Sequence, residues 1–401
     1  MSTTSAMIAA ESEHCAHNYH PLPVVLTEGL GSFVTDVEGA HYLDMLAAYS
    51  ALNFGHRHPM LIAAAKAQLD RLTLTSRAFH NDQLGAFCSG LAALVGKDAI
   101  LPMNSGAEGV ETAIKVARKW GYQKKGAQPG RAEIIVCGGN FHGRTTTIIS
   151  FSDDPQARDD FGPYTPGFVT VPYGDLEALE AAINENTVGF LVEPIQGEAG
   201  VIVPPDGYLR GARELCTRHN VLLIADEIQS GMGRAGTTLA IDFHDVTADI
   251  IIMGKALGGG ILALSAIAAD WDVLGVIQPG EHGSTFGGNP VAAAVGLGVI
   301  DLLTPGDLQA RSMSLGTAAT QRLRDADLPD VVDVRGRGMW WAIEMAPGAA
   351  SGREISERLL AKGVLAKDTH VTTIRFAPPL TIDEGDLDEA LGKIEAAVRG
   401  Q

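Results

Sequence analysis

Short apolar runs alternate with longer segments of helical periodicity through the middle of the chain. The short runs are rich in β-branched residues, which is typical of buried strands. Strands are predicted at 134–137, 168–171, 188–192, 221–225 and 250–253, and helices between them at 175–183 and 209–219. This alternation predicts an α/β fold whose mostly parallel sheet is covered by helices on both faces.

The pattern changes to α+β after about residue 290. The predicted elements outside the middle of the chain are a helix over 290–303, strands near 339–344 and 373–376, and an N-terminal hairpin of 33–36 and 41–44. A chain of 401 residues is also too long for one ordinary core. We therefore expect a large domain over 46–290 and a small domain built from both termini, 1–45 and 291–401.

Composition restricts the partners and the compartment. A hydrophobic fraction of 46% is typical of a soluble globular protein, and the net charge of −18 argues against nucleic acid or an anionic membrane as a partner. The apolar stretches 261–269 and 291–300 are shorter than the ~20 residues that span a bilayer. Residues 1–13 lack the pattern of a secretory signal, and the four cysteines form no C-x-x-C pair. We therefore expect a cytoplasmic protein.

Charged side chains follow three of the predicted strands, namely Glu193, Asp226 and Lys255. Ligands bind at this edge of an open α/β sheet, and a lone buried charge is costly. A lysine can form a Schiff base with pyridoxal phosphate while a carboxylate keeps the pyridine nitrogen protonated. A structural ion pair between Asp226 and Lys255 is the alternative interpretation.

Residues 104–109 follow a short apolar run and open a helix whose apolar face is predicted to carry Val110, Ile114, Ala117 and Gly121. Free amide groups at a helix start bind anions such as phosphate, although an ordinary helix cap has the same sequence pattern. The chain has neither a P-loop nor a strand-linked G-x-G-x-x-G. These absences disfavour nucleotide and dinucleotide sites.

Two arginines are candidates for binding carboxylates. Arg144 follows Phe141 in the segment after the 134–137 run, and an aromatic ring there could stack on a flat heterocycle. Arg375 lies in the alternating run 373–376, where an inward side chain would suit a second carboxylate. A core phenylalanine and solvent-facing arginines are the alternatives.

A cluster of His14, Cys15, His17 and His20 near the N-terminus raises the question of a metal site. Its spacing matches no standard zinc pattern, and terminal segments are often mobile. We therefore predict no metal in this protein.

Together these segments resemble the class III pyridoxal phosphate aminotransferases, of fold type I, from about residue 18 to 395. The strings that carry the resemblance are 18–24, 48–51, 72–79, 192–198, 225–229, 282–290 and 374–380. Within the family, residues 18–24 (NYHPLPV) and Tyr49 are most similar to the ornithine δ-aminotransferases. The resemblance implies transfer of the δ-amino group of L-ornithine to 2-oxoglutarate, with pyridoxal 5'-phosphate as cofactor, in a homodimer.

The resemblance also implies roles for the residues around the cofactor. Lys255 would carry the Schiff base and then move a proton at the amino-acid carbon, and Asp226 would hold the pyridinium nitrogen. Gln229 would contact the ring hydroxyl, and Phe141 would stack on the ring. The phosphate would be held by Ser105, Gly106 and Ala107, together with Thr285 of the partner subunit.

Five further residues are implied to bind substrate: Tyr19, Tyr49, Arg144, Glu198 and Arg375. Tyr19 and Arg144 would hold the α-amino and α-carboxylate groups of ornithine, so that the δ-amine points at the cofactor. Glu198 would pair with Arg375 while ornithine is bound. It would swing away when 2-oxoglutarate arrives, because Arg375 then binds the α-carboxylate and Arg144 the distal one.

Some positions depart from the ornithine enzymes. His142 stands where they often carry tryptophan, and Phe286 replaces a common tyrosine. Gly258 and residues 261–263 replace a serine and a leucine–tyrosine–proline string after the lysine. The string Phe-His-Gly-Arg over 141–144 also suits enzymes that act on N-acetylornithine. An aminotransferase for N-acetylornithine or another ω-amino acid is therefore the alternative function.

Overall fold

A computed structural model describes residues 2–401, which form one large and two small sheets. The strands are β1 (Leu26–Leu30), β2 (Phe33–Asp36), β3 (His41–Asp44), β4 (Ala99–Met103), β5 (Glu133–Cys137), β6 (Phe168–Val171), β7 (Thr187–Val192), β8 (Leu222–Asp226), β9 (Ile250–Met253), β10 (Ser265–Ala269), β11 (Val331–Gly336), β12 (Trp341–Met345), β13 (Val364–Leu365), β14 (Lys367–Thr369) and β15 (Thr373–Phe376). The strands predicted from apolar runs all form, with ends that differ by at most a residue or two.

The α-helices span Thr3–His14, Pro59–Leu69, Leu84–Val95, Gly106–Trp120, Pro155–Arg158, Leu176–Ala182, Tyr208–Arg218, Trp271–Leu274, Pro290–Leu303, Asp307–Asp325, Gly352–Ala361 and Glu384–Val398. Short 3₁₀ segments occur at Ile148–Phe151, Ala240–His244 and Lys255–Gly258, and a π-helical turn at Gly121–Lys125. The backbone at 47–50 is left-handed, with positive φ at each of the four residues, so this short segment is not a right-handed helix.

The large sheet has seven strands in the order β4-β10-β9-β8-β7-β5-β6. Strands β6, β5, β7, β8 and β9 pair in parallel, whereas β10 pairs antiparallel with both β9 and β4. The prediction of an α/β fold with a mostly parallel sheet is therefore confirmed. The sequence pattern did not identify β10, because its residues lie in an apolar stretch without clear alternation.

Alternate residues of each central strand face opposite cores. In β9, Ile251 and Met253 pack in the core that contains the Tyr208–Arg218 helix, whereas Ile250 and Ile252 pack against Gly106–Trp120. The predicted apolar face of the latter helix is buried at all four positions. Both faces of the sheet are thus covered, which explains why its strands read as continuous apolar runs.

The two smaller sheets have the orders β1-β2-β3-β13 and β11-β12-β15-β14. A third core lies between these sheets and the last helices, and it joins Leu43 and Met45 near the N-terminus to residues as far along as Val398. The division at 45/46 and 290/291 remains a prediction. The helix over 290–303 packs with the large-sheet core through Ala292, Ala293 and Val299.

Within residues 2–401, no single helix is long and apolar enough to cross a membrane. One bent pair, Pro290–Leu303 with Asp307–Asp325, meets the criterion of length and composition only when the two are taken together.

A buried guanidinium joins three separate segments of the chain. Arg234 donates to Asn53 Oδ1 from Nε and Nη2 at 3.1 and 2.6 Å, and Nη1 donates to the carbonyls of Met339 and Pro378 at 2.7 and 2.6 Å. Burial lowers the pKa of Arg234 to about 9, although the charge of Asp44 opposes this shift. The cation therefore joins the segment after the left-handed turn at 47–50 to the segment after β15.

We predict that Arg234→Met lowers the free energy of unfolding by about 3 kcal/mol, because two buried carbonyls and one amide oxygen lose their donors. Arg218→Met is the matched control, since Arg218 pairs with Glu180 at 2.9 Å on the surface. Its loss should cost less than about 1 kcal/mol. Urea denaturation of both variants measures the difference, and equal losses would contradict the role given to Arg234.

Candidate active site

Three ionisable side chains that end or follow strands border one cavity at the carboxyl edge of the large sheet. Asp226 ends β8, Glu193 follows β7 directly, and Lys255 lies two residues beyond β9. The cavity has a volume of about 170 Å³. Its remaining lining is contributed by Gly106, Ala107, Phe141, His142, Gly143, Ile195, Ile228, Gln229 and Ser230.

Lys255 has a strained backbone. Its φ is +46°, and it begins a 3₁₀ turn directly after Gly254. Burial lowers the pKa of the Lys255 amine, whereas the negative charges of Glu198, Asp226 and Glu193 oppose that change. A lowered pKa favours the neutral, nucleophilic amine, and strained backbone is common at functional positions.

Asp226 is held from two sides. His142 Nδ1 lies 2.6 Å from Asp226 Oδ2, and the Ile228 amide donates to Oδ1 at 3.1 Å. Burial alone would lower the pKa of His142, but the hydrogen bond and charge of Asp226, with the charge of Glu193, raise it. The imidazole therefore favours the protonated form that donates to the carboxylate, and Nε2 is buried without a hydrogen-bond partner among residues 2–401.

The start of the Gly106–Trp120 helix borders the same cavity. Ser105 and Glu108 form a capping box, in which Ser105 Oγ accepts from the Glu108 amide at 3.2 Å and Glu108 Oε2 accepts from the Ser105 amide at 2.7 Å. The first amides of a helix have no intrahelical partner, and those of Gly106 and Ala107 belong to residues that line the cavity. This arrangement suits an anionic group such as phosphate.

These residues fit the pyridoxal 5'-phosphate that the resemblance implies. The cavity offers an amine on Lys255, a buried carboxylate on Asp226, an aromatic side chain on Phe141 and a helix N-terminus. A Cβ at Gly106 would lie 3.0 Å from Ile228 Cδ1, so the helix start packs closely against the segment after β8. The chemistry of the lining thus matches each part of the cofactor.

Arg144 lies on the exposed side of the same loop as Phe141. Its guanidinium carbon is 5.5 Å from the centroid of the Phe141 ring, close enough for a cation–π interaction. The glycine between His142 and Arg144 has φ of +129°, and a Cβ there would lie 3.0 Å from Ala107 Cβ. A larger residue at Gly143 would therefore push this loop away from the helix start.

Arg375 is buried on β15 and reaches the same region from the small sheet. Its Nη1 donates to Glu198 Oε1 at 2.8 Å and to the Gly197 carbonyl at 3.2 Å, and its guanidinium carbon lies 5.3 Å from the Tyr49 ring centroid. Burial alone would raise the pKa of Glu198, but Arg375 holds it below its usual value. Of the two orientations considered for Arg375, the structure has the inward one.

Three of the other residues implied by the resemblance, Tyr19, Ser105 and Thr285, are exposed. Tyr19 is 78% exposed, and Thr285 lies on an exposed loop. Ser105 is exposed at the helix start, whereas Glu198 lines a second cavity of about 350 Å³ next to the first. The roles of these residues remain predictions.

No group of three or more His, Cys, Asp or Glu within residues 2–401 is arranged to hold a metal ion. In the N-terminal cluster, His17 Nε2 bonds instead to the Ser12 carbonyl at 2.8 Å.

Sequence reasoning gave no role to two of the buried groups in this cavity. His142 was noted only as a departure from related sequences, and Glu193 only as a strand-end charge. The position of Glu193 after a fully apolar strand was a usable signal. No sequence pattern indicated that His142 would turn toward Asp226.

Known proteins resemble the whole chain. The family model described as "Aminotransferase class-III" matches residues 14–398. An ornithine aminotransferase from Exiguobacterium sp. is 54% identical over 398 residues, covering 99% of this chain and 98% of the relative. The structure of an ornithine aminotransferase from Toxoplasma gondii, with partial occupancy of PLP at its active site, superposes with a TM-score of 0.98 at 42% identity, covering 99% of this chain and 94% of the other.

An acetylornithine aminotransferase from Elizabethkingia anophelis also superposes over both full chains, with a TM-score of 0.91 at 43% identity. Overall identity to solved structures therefore does not distinguish an enzyme for ornithine from one for N-acetylornithine. The distinction depends on the side chains of the site.

We predict that Gly197→Ala weakens binding of pyridoxal 5'-phosphate by about tenfold, because the added methyl group would overlap Gln229 Oε1 and lie 2.9 Å from Trp340. Gly85→Ala is the control, since a Cβ there meets nothing within 4 Å. Titration of both apo-proteins with the cofactor measures the effect. Equal affinities would show that the Gln229 side chain can move aside without consequence.

Proposed function

Because this chain belongs to the class-III aminotransferases, we propose that it transfers the δ-amino group of L-ornithine to 2-oxoglutarate. The products are glutamate 5-semialdehyde, which cyclises spontaneously, and glutamate. The observation that carries this assignment is the Glu198–Arg375 pair, 2.8 Å apart, in which Glu198 lines the cavity next to the one that holds Lys255. The same pocket must accept first a cationic amino acid and then a dianion. It therefore needs a positive charge, here that of Arg375, that an acidic partner can neutralise for one substrate and release for the other.

The cofactor is pyridoxal 5'-phosphate, which supplies an electron sink when bound and so allows an amino group to be exchanged for an oxo group. Asp226 would hold the ring nitrogen, and Gln229 would contact the ring hydroxyl. Phe141 would stack on the ring. The phosphate would lie at the start of the Gly106–Trp120 helix, against Ser105, Gly106 and Ala107.

Lys255 is proposed as the residue that attaches the cofactor and moves the proton at the substrate carbon that bears the amine. Its lowered pKa supports this role, because Nζ must lose a proton before it can accept one. Nearby Glu198, Asp226 and Glu193 limit that lowering. The amine therefore remains able to take up a proton during the reaction.

Ornithine would be oriented by Tyr19 and Arg144, which we propose to bind the α-amino and α-carboxylate groups. The Glu198–Arg375 pair would remain closed, so that Arg375 does not attract the α-carboxylate. Tyr49, whose ring lies 5.3 Å from the Arg375 guanidinium carbon, would hold that arginine in place. The δ-amine is then the group that reaches Lys255.

For 2-oxoglutarate, Glu198 would move away from Arg375. Arg375 would then bind the α-carboxylate, while Arg144 binds the distal one. Bidentate guanidinium–carboxylate pairs are strong and directional, which suits two arginines to a dicarboxylate.

N-acetylornithine is the second candidate substrate. The Phe-His-Gly-Arg string at 141–144 also suits enzymes that act on it, whereas Tyr19 favours ornithine, since acetylation removes the free α-amino group that Tyr19 would contact.

We also propose a homodimer in which Thr285 completes the phosphate site of the partner subunit. The exposed positions of Thr285 and Phe286 on the 281–288 loop support this assembly. A cytoplasmic location is proposed as well, and the four free cysteines support it.

The half-reaction without an oxo acid tests the function directly. We expect L-ornithine to convert the bound cofactor rapidly, with pyrroline trapped by an aminobenzaldehyde reagent, and N-acetylornithine to react slowly. Lys255→Ala should abolish turnover and the covalent retention of cofactor after borohydride treatment, measured by mass spectrometry. Preference for N-acetylornithine would move the chain to the second candidate function, and covalent retention in Lys255→Ala would exclude Lys255 as the attachment site.

We predict that Glu198→Ala increases the half-reaction rate with L-glutamate, relative to L-ornithine, by about tenfold, because Arg375 is freed for an α-carboxylate. Glu395→Ala is the control, since it removes another half-buried partner of an arginine, Arg322, at 2.7 Å. Stopped-flow absorbance of the cofactor measures both rates. An unchanged ratio in Glu198→Ala would rule out the exchange of partners by Arg375.

A further inference from the structure

We propose that Glu193 is a positioning residue that joins the loop carrying Phe141 and Arg144 to the loop carrying Glu198, and thereby sets the preference between ornithine and glutamate. In the function described so far, Glu193 contributes only its negative charge near Lys255. The inference rests on the proposed function, because it concerns how the same site distinguishes its two substrates.

The two oxygens of Glu193 hold two different loops. Oε1 accepts from the Phe141 amide at 2.9 Å, and Oε2 accepts from the Gly197 amide at 3.2 Å. Phe141 would stack on the cofactor and is three residues before Arg144, whereas Gly197 directly precedes Glu198. One buried carboxylate therefore joins the segments that carry Arg144 and Glu198.

The backbone that carries the Glu193 side chain is held by hydrogen bonds. The Tyr173 hydroxyl lies 3.1 Å from the Glu193 carbonyl and 3.0 Å from that of Pro194, which fixes the chain just beyond β7. A second bond connects the same two loops, since Gln196 Nε2 donates to the Gly138 carbonyl at 2.8 Å. Displacement of the Glu193 side chain would therefore alter the distance between the loops rather than unfold either one.

Protonation of Glu193 would weaken this connection. Burial and the charge of Asp226 raise the pKa of Glu193 to about 7, although His142 and the two amide donors lower it. A carboxylic acid has one oxygen that carries hydrogen and accepts an amide N–H poorly, so one of the two loops would be released. The titratable groups that face Glu193 are Cys137, His142, Tyr173, Asp226 and Lys255.

Glu227 provides a matched control. It follows the next strand, is fully buried, and has a pKa also raised by burial to about 7. Its oxygens accept instead from Ser230 Oγ and from the amides of Ala240 and Ile241, at 2.6, 2.9 and 2.8 Å. The two glutamates share burial and charge and differ in the segments that they hold.

The test compares Glu193→Gln, Glu193→Asp and Glu227→Gln with the parent enzyme. The measured quantity is the ratio of kcat/KM for L-ornithine to that for L-glutamate in separate half-reactions, followed from pH 6 to 9. In the parent, we expect this ratio to fall with a single protonation at about pH 7, as the ionised form of Glu193 is lost.

Glu193→Gln should lower the ratio by about tenfold at high pH and remove its dependence on pH near neutrality, because the amide cannot accept from both loops and does not titrate. Glu193→Asp keeps the charge but is one methylene shorter, so it should lower the ratio and retain a pH dependence. Glu227→Gln should lower the melting temperature and leave the ratio and its pH profile unchanged.

Hydrogen exchange of the apo-proteins provides a readout that needs no turnover. Glu193→Gln should speed exchange of the Phe141 and Gly197 amides, and Glu227→Gln that of the Ala240 and Ile241 amides. Faster exchange at Phe141 and Gly197 with an unchanged substrate ratio would overturn the role in selectivity, and unchanged exchange would overturn the connection itself. Failure of the parent to react with ornithine would instead contradict the proposed function, which the exchange data do not depend on.

Discussion

Burial of charge at the carboxyl edge of the large sheet is the constraint on which the site depends. Parallel strands β7, β8 and β9 end side by side, so the groups that follow them share a region with little water. A buried carboxylate is tolerated only with donors nearby, and Asp226 has them in His142 and the Ile228 amide. These partners fix the orientation of Asp226 before any ligand binds, which is the preorganisation that catalysis requires.

A second buried charge connects this edge to the small sheets. Arg234 binds the segment after the left-handed turn at 47–50 and the segment after β15, and these two segments directly follow the elements that carry Tyr49 and Arg375. Such a turn is unfavourable for residues with side chains, so surrounding contacts must maintain it. Asp44 contributes by accepting from the amides of Leu46 and Ala47 at 3.0 and 2.8 Å.

Apolar periodicity predicted the parallel strands and the helix after Ser105, because burial on both faces of a sheet leaves a strong signal in the sequence. It also placed Asp226 and Lys255 at neighbouring strand ends. The antiparallel β10 was missed, since its residues lie in an apolar stretch without clear alternation. The contacts of His142 and Glu193 could not be predicted from the sequence for another reason. They depend on how loops from distant parts of the chain pack together, and no local sequence pattern indicates such packing.

The comparison of Glu193 with Glu227 distinguishes the effect of burial on a carboxyl group from a role of that group in the site. Both carboxyls have a pKa raised to about 7, because each loses water at a strand end, so the shift alone does not mark a functional group. Their partners differ: Glu227 binds Ser230 and the amides of a 3₁₀ turn, whereas Glu193 binds the amides of the two loops that carry Arg144 and Glu198. Whether a buried acid in this fold contributes to the reaction therefore depends on which segments it binds, and burial alone does not decide it.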